Sequence, residues 1–131
     1  MHINASSQAI DFLLGDTSPF QEFPLYAVAN GTVVDIQIDQ EWGEILRINH
    51  SLTNSCSFYA HLKPGSSTLV AGQFVKQGDL IGTAGRSGDG ANNENHLHFE
   101  ARTPLCQAGV SNVNNGSSIP ALALMCNWWN P

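Results

Sequence analysis

Asn95-His96-Leu97-His98-Phe99-Glu100-Ala101 is the stretch from which the fold is read. Side chains alternate along a strand, so in extended backbone His96, His98 and Glu100 face one way and Leu97 and Phe99 the other. The apolar pair can anchor in a core while both imidazoles face a cleft. Two neutral imidazoles at i and i+2 suit a metal ion, or a metal ligand beside a proton shuttle. The plainer alternative is two polar residues on the wet face of an amphipathic strand. Further histidines and one aspartate weigh against it.

Working outward, the same period recurs. Ala9–Leu14 reads as a short buried strand that carries Asp11 among Ile10, Phe12 and Leu13; a carboxylate there is costly unless it is paired or coordinates something. Leu25–Ala29 and Thr32–Ile38 flank Asn30-Gly31, a strong short-range hairpin signal. Glu44–His50 alternates, with Ile45, Arg47 and Asn49 on one face and Leu46 and Ile48 on the other. Ser57–Leu62 is the next strand, ended by Pro64-Gly65, and Val75–Gly85 has glycines at turn positions around short β segments. A polar loop, Arg86–Asn95, leads into the His96–Arg102 strand. Gly109–Ser118 reads as a mobile loop, and Ile119–Trp129 as a short helix or turn closing the core. The pattern predicts a mainly β, antiparallel fold.

The chain has 131 residues, enough for one core. Only 12% are charged while Gly, Ser, Asn, Gln and Thr abound, which suits a turn-rich β fold rather than a helical bundle or a disordered tail. The formal charge of −6, with five basic residues, argues against a nucleic-acid groove or an anionic-membrane patch. No apolar run approaches the roughly 18 residues of a membrane span. Met1-His2-Ile3-Asn4 lacks the basic and apolar regions of a signal peptide, so the start is expected to be a processed or engineered boundary. Cys106 and Cys126 bracket a loop of Gly, Ser and Asn, and are expected to form a bridge in an oxidising compartment; Cys56 is expected to be a buried free thiol.

Four motifs in order carry a family resemblance: Tyr26-Ala27-Val28-Ala29-Asn30-Gly31-Thr32-Val33, Phe58-Tyr59-Ala60-His61-Leu62, Val75-Lys76-Gln77-Gly78-Asp79-Leu80-Ile81-Gly82 and His96-Leu97-His98-Phe99-Glu100. From about His2 to Arg102 the chain resembles the M23 peptidases, the LytM- and lysostaphin-type zinc endopeptidases of bacterial cell walls. The resemblance implies a peptidase domain over residues 1–104, with a C-terminal extension, 105–131, packed on it. It implies a small antiparallel β-sheet core of sandwich or half-barrel form, with long loops flanking a groove.

By the same resemblance the zinc ligands are His2, Asp11 and His98. Family members often place the first histidine four residues before the aspartate, where this chain has Ser7; His2 is the upstream histidine, and some branches insert residues between these two ligands. His61 and His96 match the family's catalytic pair. A zinc with three protein ligands keeps an open position for water, lowers its pKa toward about 7 and polarises the scissile carbonyl. A neutral imidazole can move the water's proton to the leaving amine, and an imidazolium can stabilise the oxyanion. His96 is assigned as general base and His61 as oxyanion stabiliser, roles that can be exchanged. Glu100 is either a partner orienting a ligand or a solvated edge carboxylate. His50 is expected to be structural, and Tyr59 a core or rim aromatic.

The implied activity is hydrolysis of peptide bonds in peptidoglycan, in the stem peptide or crossbridge. The cleft would be walled by Gly15–Pro24, Trp42–Gly43 and Arg86–Asn95. Asn95 stands where many members have proline, and Asp89 and Glu94 bear on substrate charge preference. The implied location is extracytoplasmic, secreted or periplasmic, with no membrane insertion. Wall targeting is expected from another domain or partner, because a −6 charge does not favour anionic wall polymers. One rival is a non-catalytic relative that binds peptidoglycan or activates an amidase. Another is a lipoyl-like carrier module, which would leave four histidines unexplained.

Overall fold

A computed structural model describes residues 9–16 and 20–108 in full and residues 2–3 and 117–119 by their backbone. Its strands are β1 (His2–Ile3), β2 (Ile10–Phe12), β3 (Phe23–Tyr26), β4 (Gly31–Asp39), β5 (Gly43–His50), β6 (Ser55–Leu62), β7 (Phe74–Val75), β8 (Leu80–Ala84), β9 (Leu97–Thr103) and β10 (Ser117–Ile119). All the pairings are antiparallel. The main path runs β1-β2-β9-β6-β5-β4-β7, with β10 also on β9 and a β3–β8 pair joined to β6. The mainly β, antiparallel expectation holds.

Each face of this sheet has its own chemistry. Leu97, Phe99, Tyr59, Leu46, Ile48 and Ile10 join the main core on one side, as the alternation along β9 and β5 requires. Tyr59 is fully inside it, and its hydroxyl accepts the Val28 N–H at 3.1 Å. The other side carries a small apolar cluster of Ile45, Phe58 and Ala60 beneath Trp42. Around that cluster runs a band of buried polar groups. Arg47 binds Asp35 through two bonds, Nε to Oδ1 at 2.8 Å and Nη2 to Oδ2 at 2.6 Å, and also reaches the Gln107 carbonyl at 3.2 Å. The described part of the segment after β9 therefore lies over the polar face.

Two local expectations are corrected. Asn30-Gly31 does not close a hairpin: β3 pairs with β8, and β4 with β5 and β7. Gly31 is instead a point of close approach, because a Cβ there would collide with the Asn49 carbonyl oxygen and the side chains of Ile48 and His50. Asn30 faces outward from the same corner, taking the Gln77 N–H on its side chain at 2.8 Å and the His50 Nδ1–H on its carbonyl at 2.8 Å. His50 is thus structural, its other ring nitrogen meeting Ser57 Oγ at 2.8 Å.

The second correction concerns the cysteines. Cys56 is not a free thiol, and Cys106 does not pair with Cys126: Cys56 and Cys106 form the disulfide. Pairing of β6 with β9 sets Cys56 opposite Arg102, four residues before Cys106, so the chain returning past Pro104 passes over Cys56. Asn49 holds it there, donating to the Cys106 carbonyl at 2.9 Å and accepting its N–H at 2.8 Å. Cys126 and most of the segment expected to form a loop and a terminal helix lie outside the described residues; residues 117–119 form β10.

The disulfide closes a loop with a sequence separation of 50. By the chain-entropy relation such a crosslink contributes about 4 kcal/mol. A Cys56→Ala/Cys106→Ala variant is expected to lose stability on that scale in urea denaturation. Thiol titration of the unfolded, unreduced wild type should return one free thiol, belonging to Cys126.

Candidate metal and catalytic site

The site is assembled by strand register. Asp11 on β2 lies directly opposite His98 on β9, His98 opposite Ala60 on β6, and the backbone of His2 on β1 opposite Asp11. Directly opposite residues in an antiparallel pair share a face. A histidine position, a carboxylate and an imidazole thus stand in one row across three strands. Among residues with described side chains, Asp11 and His98 are the candidate metal donors of that row.

His98 is held from both ends. Its Nδ1 lies 3.1 Å from Asp11 Oδ1, and its Nε2 lies 3.2 Å from Glu100 Oε2. Burial opposes charge on this ring, but the hydrogen bonds and charges of Asp11 and Glu100 outweigh it and raise the pKa above the ordinary histidine value. Glu100 is buried and takes a bond from Arg102 Nη2 at 2.9 Å; Arg102 lies over the Phe58 ring, 4.4 Å from its centre. Burial alone would raise the Glu100 pKa, yet His98 and Arg102 bring it below the usual carboxylate range. Of the two readings of Glu100, the solvated edge carboxylate is excluded. The arrangement of carboxylate, imidazole and carboxylate is the one in which an outer acid fixes the orientation of a metal-binding histidine. An imidazole and an aspartate, with a second histidine position in the same row, suit a divalent ion such as zinc.

His61 reaches the same face by a departure from regular strand geometry. Tyr59 faces the core and Ala60 the site, so strict alternation would send His61 into the core. Between the pairs Glu44↔Leu62 and Leu46↔Tyr59, however, Ile45 alone faces both Ala60 and His61, which is a β-bulge. His61 takes φ 62°, in the left-handed region that costs a non-glycine residue roughly 1–3 kcal/mol and is found at sites where side-chain aim matters. Leu62 then returns to the core.

Two loops grip the bulge. The Trp42 carbonyl accepts the His61 N–H at 2.9 Å, and the Ser87 carbonyl accepts its Nδ1–H at 2.7 Å. The loops are themselves in backbone contact: a Cβ on Gly43 would strike Ser87, and one on Gly88 would strike Gly43 and Glu41. His96 lies just before β9, its N–H on the Gly85 carbonyl at 3.0 Å and its Nδ1–H on the Glu94 carbonyl at 2.9 Å. A carbonyl can only accept, so both rings keep their proton on Nδ1 and, when neutral, present Nε2 as a lone pair. The two ring centres are 4.8 Å apart, and His61 and His98 are 6.2 Å apart.

Burial is the main cause that brings the His61 pKa down to about 4, with the nearby His96 and His98 rings adding to it and the Ser87 carbonyl partly opposing it. His61 is therefore neutral at pH 7. Trp42 covers the group, its ring 4.6 Å from that of His98 and 5.8 Å from that of His61. It is a partly buried lid over Phe58 and the histidines rather than a free loop aromatic. The left-handed His61 and its bulge could not be read from the sequence, and neither could Arg102 as the anchor of Glu100. For Arg102 the trace was the polar residue at every second position of the β9 strand.

Sequence and fold together define a family. A sequence model of Peptidase family M23 matches residues 7–118, and the chain belongs to that family. The match begins after His2. Endolysin 2638A of Staphylococcus phage 2638A is 36% identical over 77 residues, which is 58% of this chain and 16% of the endolysin. The chain thus spans about a sixth of that relative's length. Among solved structures, the catalytic domain of lysostaphin from Staphylococcus simulans aligns with TM-score 0.69 at 20% identity, over 96% of this chain and 84% of that one. A zinc-containing peptidase from Vibrio cholerae aligns with TM-score 0.54 at 30% identity, over 68% of this chain and 26% of that one. The SpoIIQ–SpoIIIAH pore-forming complex also contains a match, with TM-score 0.61 at 25% identity over 79% of this chain and 56% of that one.

A histidine buried in the neutral form binds fewer protons than in the unfolded chain between its folded pKa and about 6.5, so stability falls as pH drops through that interval. In NMR titration of metal-free protein, the His61 ring resonances are expected to keep neutral-form shifts down to about pH 5, consistent with a folded pKa of about 4. Titration of His61 near 6.5 would mean that the ring is solvated.

Proposed function

We propose that this chain is a zinc-dependent endopeptidase that hydrolyses peptide bonds in bacterial peptidoglycan, in the stem peptide or crossbridge. The carrying observation is the His98 imidazole set between the Asp11 and Glu100 carboxylates, with the His61 ring beside it and beside that of His96. Membership of Peptidase family M23 and the likeness to a staphylococcal phage endolysin support the reaction class and the wall substrate. We assign zinc to His2, Asp11 and His98.

When bound there, zinc supplies Lewis-acid polarisation of the scissile carbonyl and an acidified water with a pKa near about 7. The chain's own residues do the rest. Glu100, fixed by Arg102, holds the His98 ring in one orientation. His96 accepts a proton at Nε2 as general base and returns it to the leaving amine. His61 has its proton on the far nitrogen, so its Nε2 can donate to an oxyanion only after it has taken a proton. His61 can therefore act on the oxyanion only in a step in which it, rather than His96, has taken the water's proton, and the roles of the two rings can be exchanged. Trp42 shields the histidines from water on one side.

Residues 1–104 carry this chemistry, and 105–131 are a C-terminal extension of the same domain. The Cys56–Cys106 disulfide supports action outside the cytoplasm, in a secreted or periplasmic setting. No helix among the described residues is long and apolar enough to cross a membrane. Wall targeting would come from another domain or partner, which agrees with the short span of the endolysin that this chain covers. The non-catalytic alternative, a peptidoglycan-binding or amidase-activating module, keeps support from the shared fold of a protein in a pore-forming complex.

Metal analysis beside peptide hydrolysis separates these readings. Wild type should hold one zinc per chain, and His2→Ala, Asp11→Ala and His98→Ala should lose it. His61→Ala and His96→Ala should retain zinc but lower kcat/KM by about 100-fold or more. Zinc kept by His2→Ala would give the third position to another residue, and a wild type that binds no supplied zinc would favour the non-catalytic module. In chelator competition, Glu100→Gln should weaken zinc affinity by roughly 10- to 100-fold.

A further inference from the structure

A pocket of about 300 Å³ opens beside the paired histidines, lined by Glu22, Lys63, Gly85, Arg86, Ser87 and Asn95 among others. Its wall is continuous with the backbone that positions them. The Gly85 N–H donates to the His61 carbonyl at 3.0 Å, the Gly85 carbonyl accepts the His96 N–H at 3.0 Å, and the Ser87 carbonyl holds the His61 ring. A group held in this pocket lies one residue away from the side chains assigned to proton movement.

The distribution of cations sets this pocket apart. The chain has five Lys and Arg residues against eleven Asp and Glu. Arg47 and Arg102 are buried and each is paired with a carboxylate. Of the other three, Lys76 is in the turn between β7 and β8, while Lys63 and Arg86 both line this pocket. Lys63 Nζ lies 3.2 Å from Glu22 Oε2, with both side chains substantially exposed. The Arg86 side chain is exposed and makes no ion pair or side-chain hydrogen bond among the described residues. The pocket therefore carries two cations and one anion, in a chain whose net charge is −6. One further carboxylate would bring it to neutrality.

We infer that this pocket is a carboxylate-binding subsite for the peptide substrate, with Arg86 as the main partner and Lys63 as the second. A guanidinium offers two parallel N–H groups to a carboxylate, a geometry an ammonium cannot match. Glu22 is an internal competitor: it occupies Lys63 in the free protein and is displaced when a ligand carboxylate enters. The carboxylate is either a chain terminus or an acidic side chain; both present the same atoms. The identity of the substrate as a peptide rests on the peptidase reading, but occupation of the pocket is measured without turnover.

Calorimetric titration of the full chain with matched peptides tests this. One pair is acetyl-pentaglycine as free acid and as C-terminal amide. The other is an acetylated, amidated glycine peptide with a central glutamate or a central glutamine. A charge-assisted pair corresponds to roughly tenfold in affinity or more. Wild type should prefer the acidic member of at least one pair by about that factor, Arg86→Gln should bring the ratio near one, and Glu22→Gln should increase it. Preference in the first pair alone assigns the chain terminus, and in the second alone the side chain. Equal binding within both pairs, or a preference that survives Arg86→Gln, overturns the subsite. Hydrolysis assayed separately decides the peptidase reading, so the two can fail independently.

Discussion

The alternation of β9 is the constraint on which the rest of this structure depends. Leu97 and Phe99 must enter the core, and that commits His98, Glu100 and Arg102 to the opposite face. That face is covered by Trp42 and by the returning chain, so three ionisable side chains in one strand are buried together. They are tolerated because each satisfies the next: Arg102 bonds Glu100, Glu100 bonds His98, and His98 bonds Asp11. A buried charge without a partner would be strongly destabilising. The ordered row at the site is thus also the condition for the strand to be stable.

The same face is continued by Arg47 with Asp35, and by Asn49 with Cys106. The segment after β9 is tied to it by a disulfide, by the Asn49 amide and by the Arg47 guanidinium. Fold and candidate site therefore share one polar layer, which runs from the disulfide at one end to the histidines at the other. The core cluster on the reverse of the sheet supplies the apolar burial that this layer does not.

Much of this was legible in the sequence because strand periodicity is local. The faces of Leu46, Ile48, Leu97 and Phe99 follow from counting by two, and the oddity of Asp11 among apolar neighbours pointed to a partner. What was not legible depends on residues far apart in the chain. Asn30-Gly31 has the composition of a hairpin turn, but the glycine answers to the backbone of β5 rather than to a turn conformation. The cysteine pairing was read from proximity in sequence, whereas the β6–β9 register decides it. The bulge that aims His61 leaves no compositional trace, since His61 itself, and not a glycine, takes the left-handed backbone.

The contact between Gly43 and the Ser87–Gly88 backbone has a consequence for how such a site can diverge. His61 donates one hydrogen bond to each of the two loops that meet there, so its position belongs to the pair and to neither loop alone. Lengthening either loop would move the ring unless the other changed with it. Variation in substrate preference is therefore easier at residues outside this clasp, such as the exposed side chains at 22, 63 and 86, than in the loops' backbone. The clasp divides the surroundings of the candidate site into a part that is free to drift and a part that can change only by compensated steps.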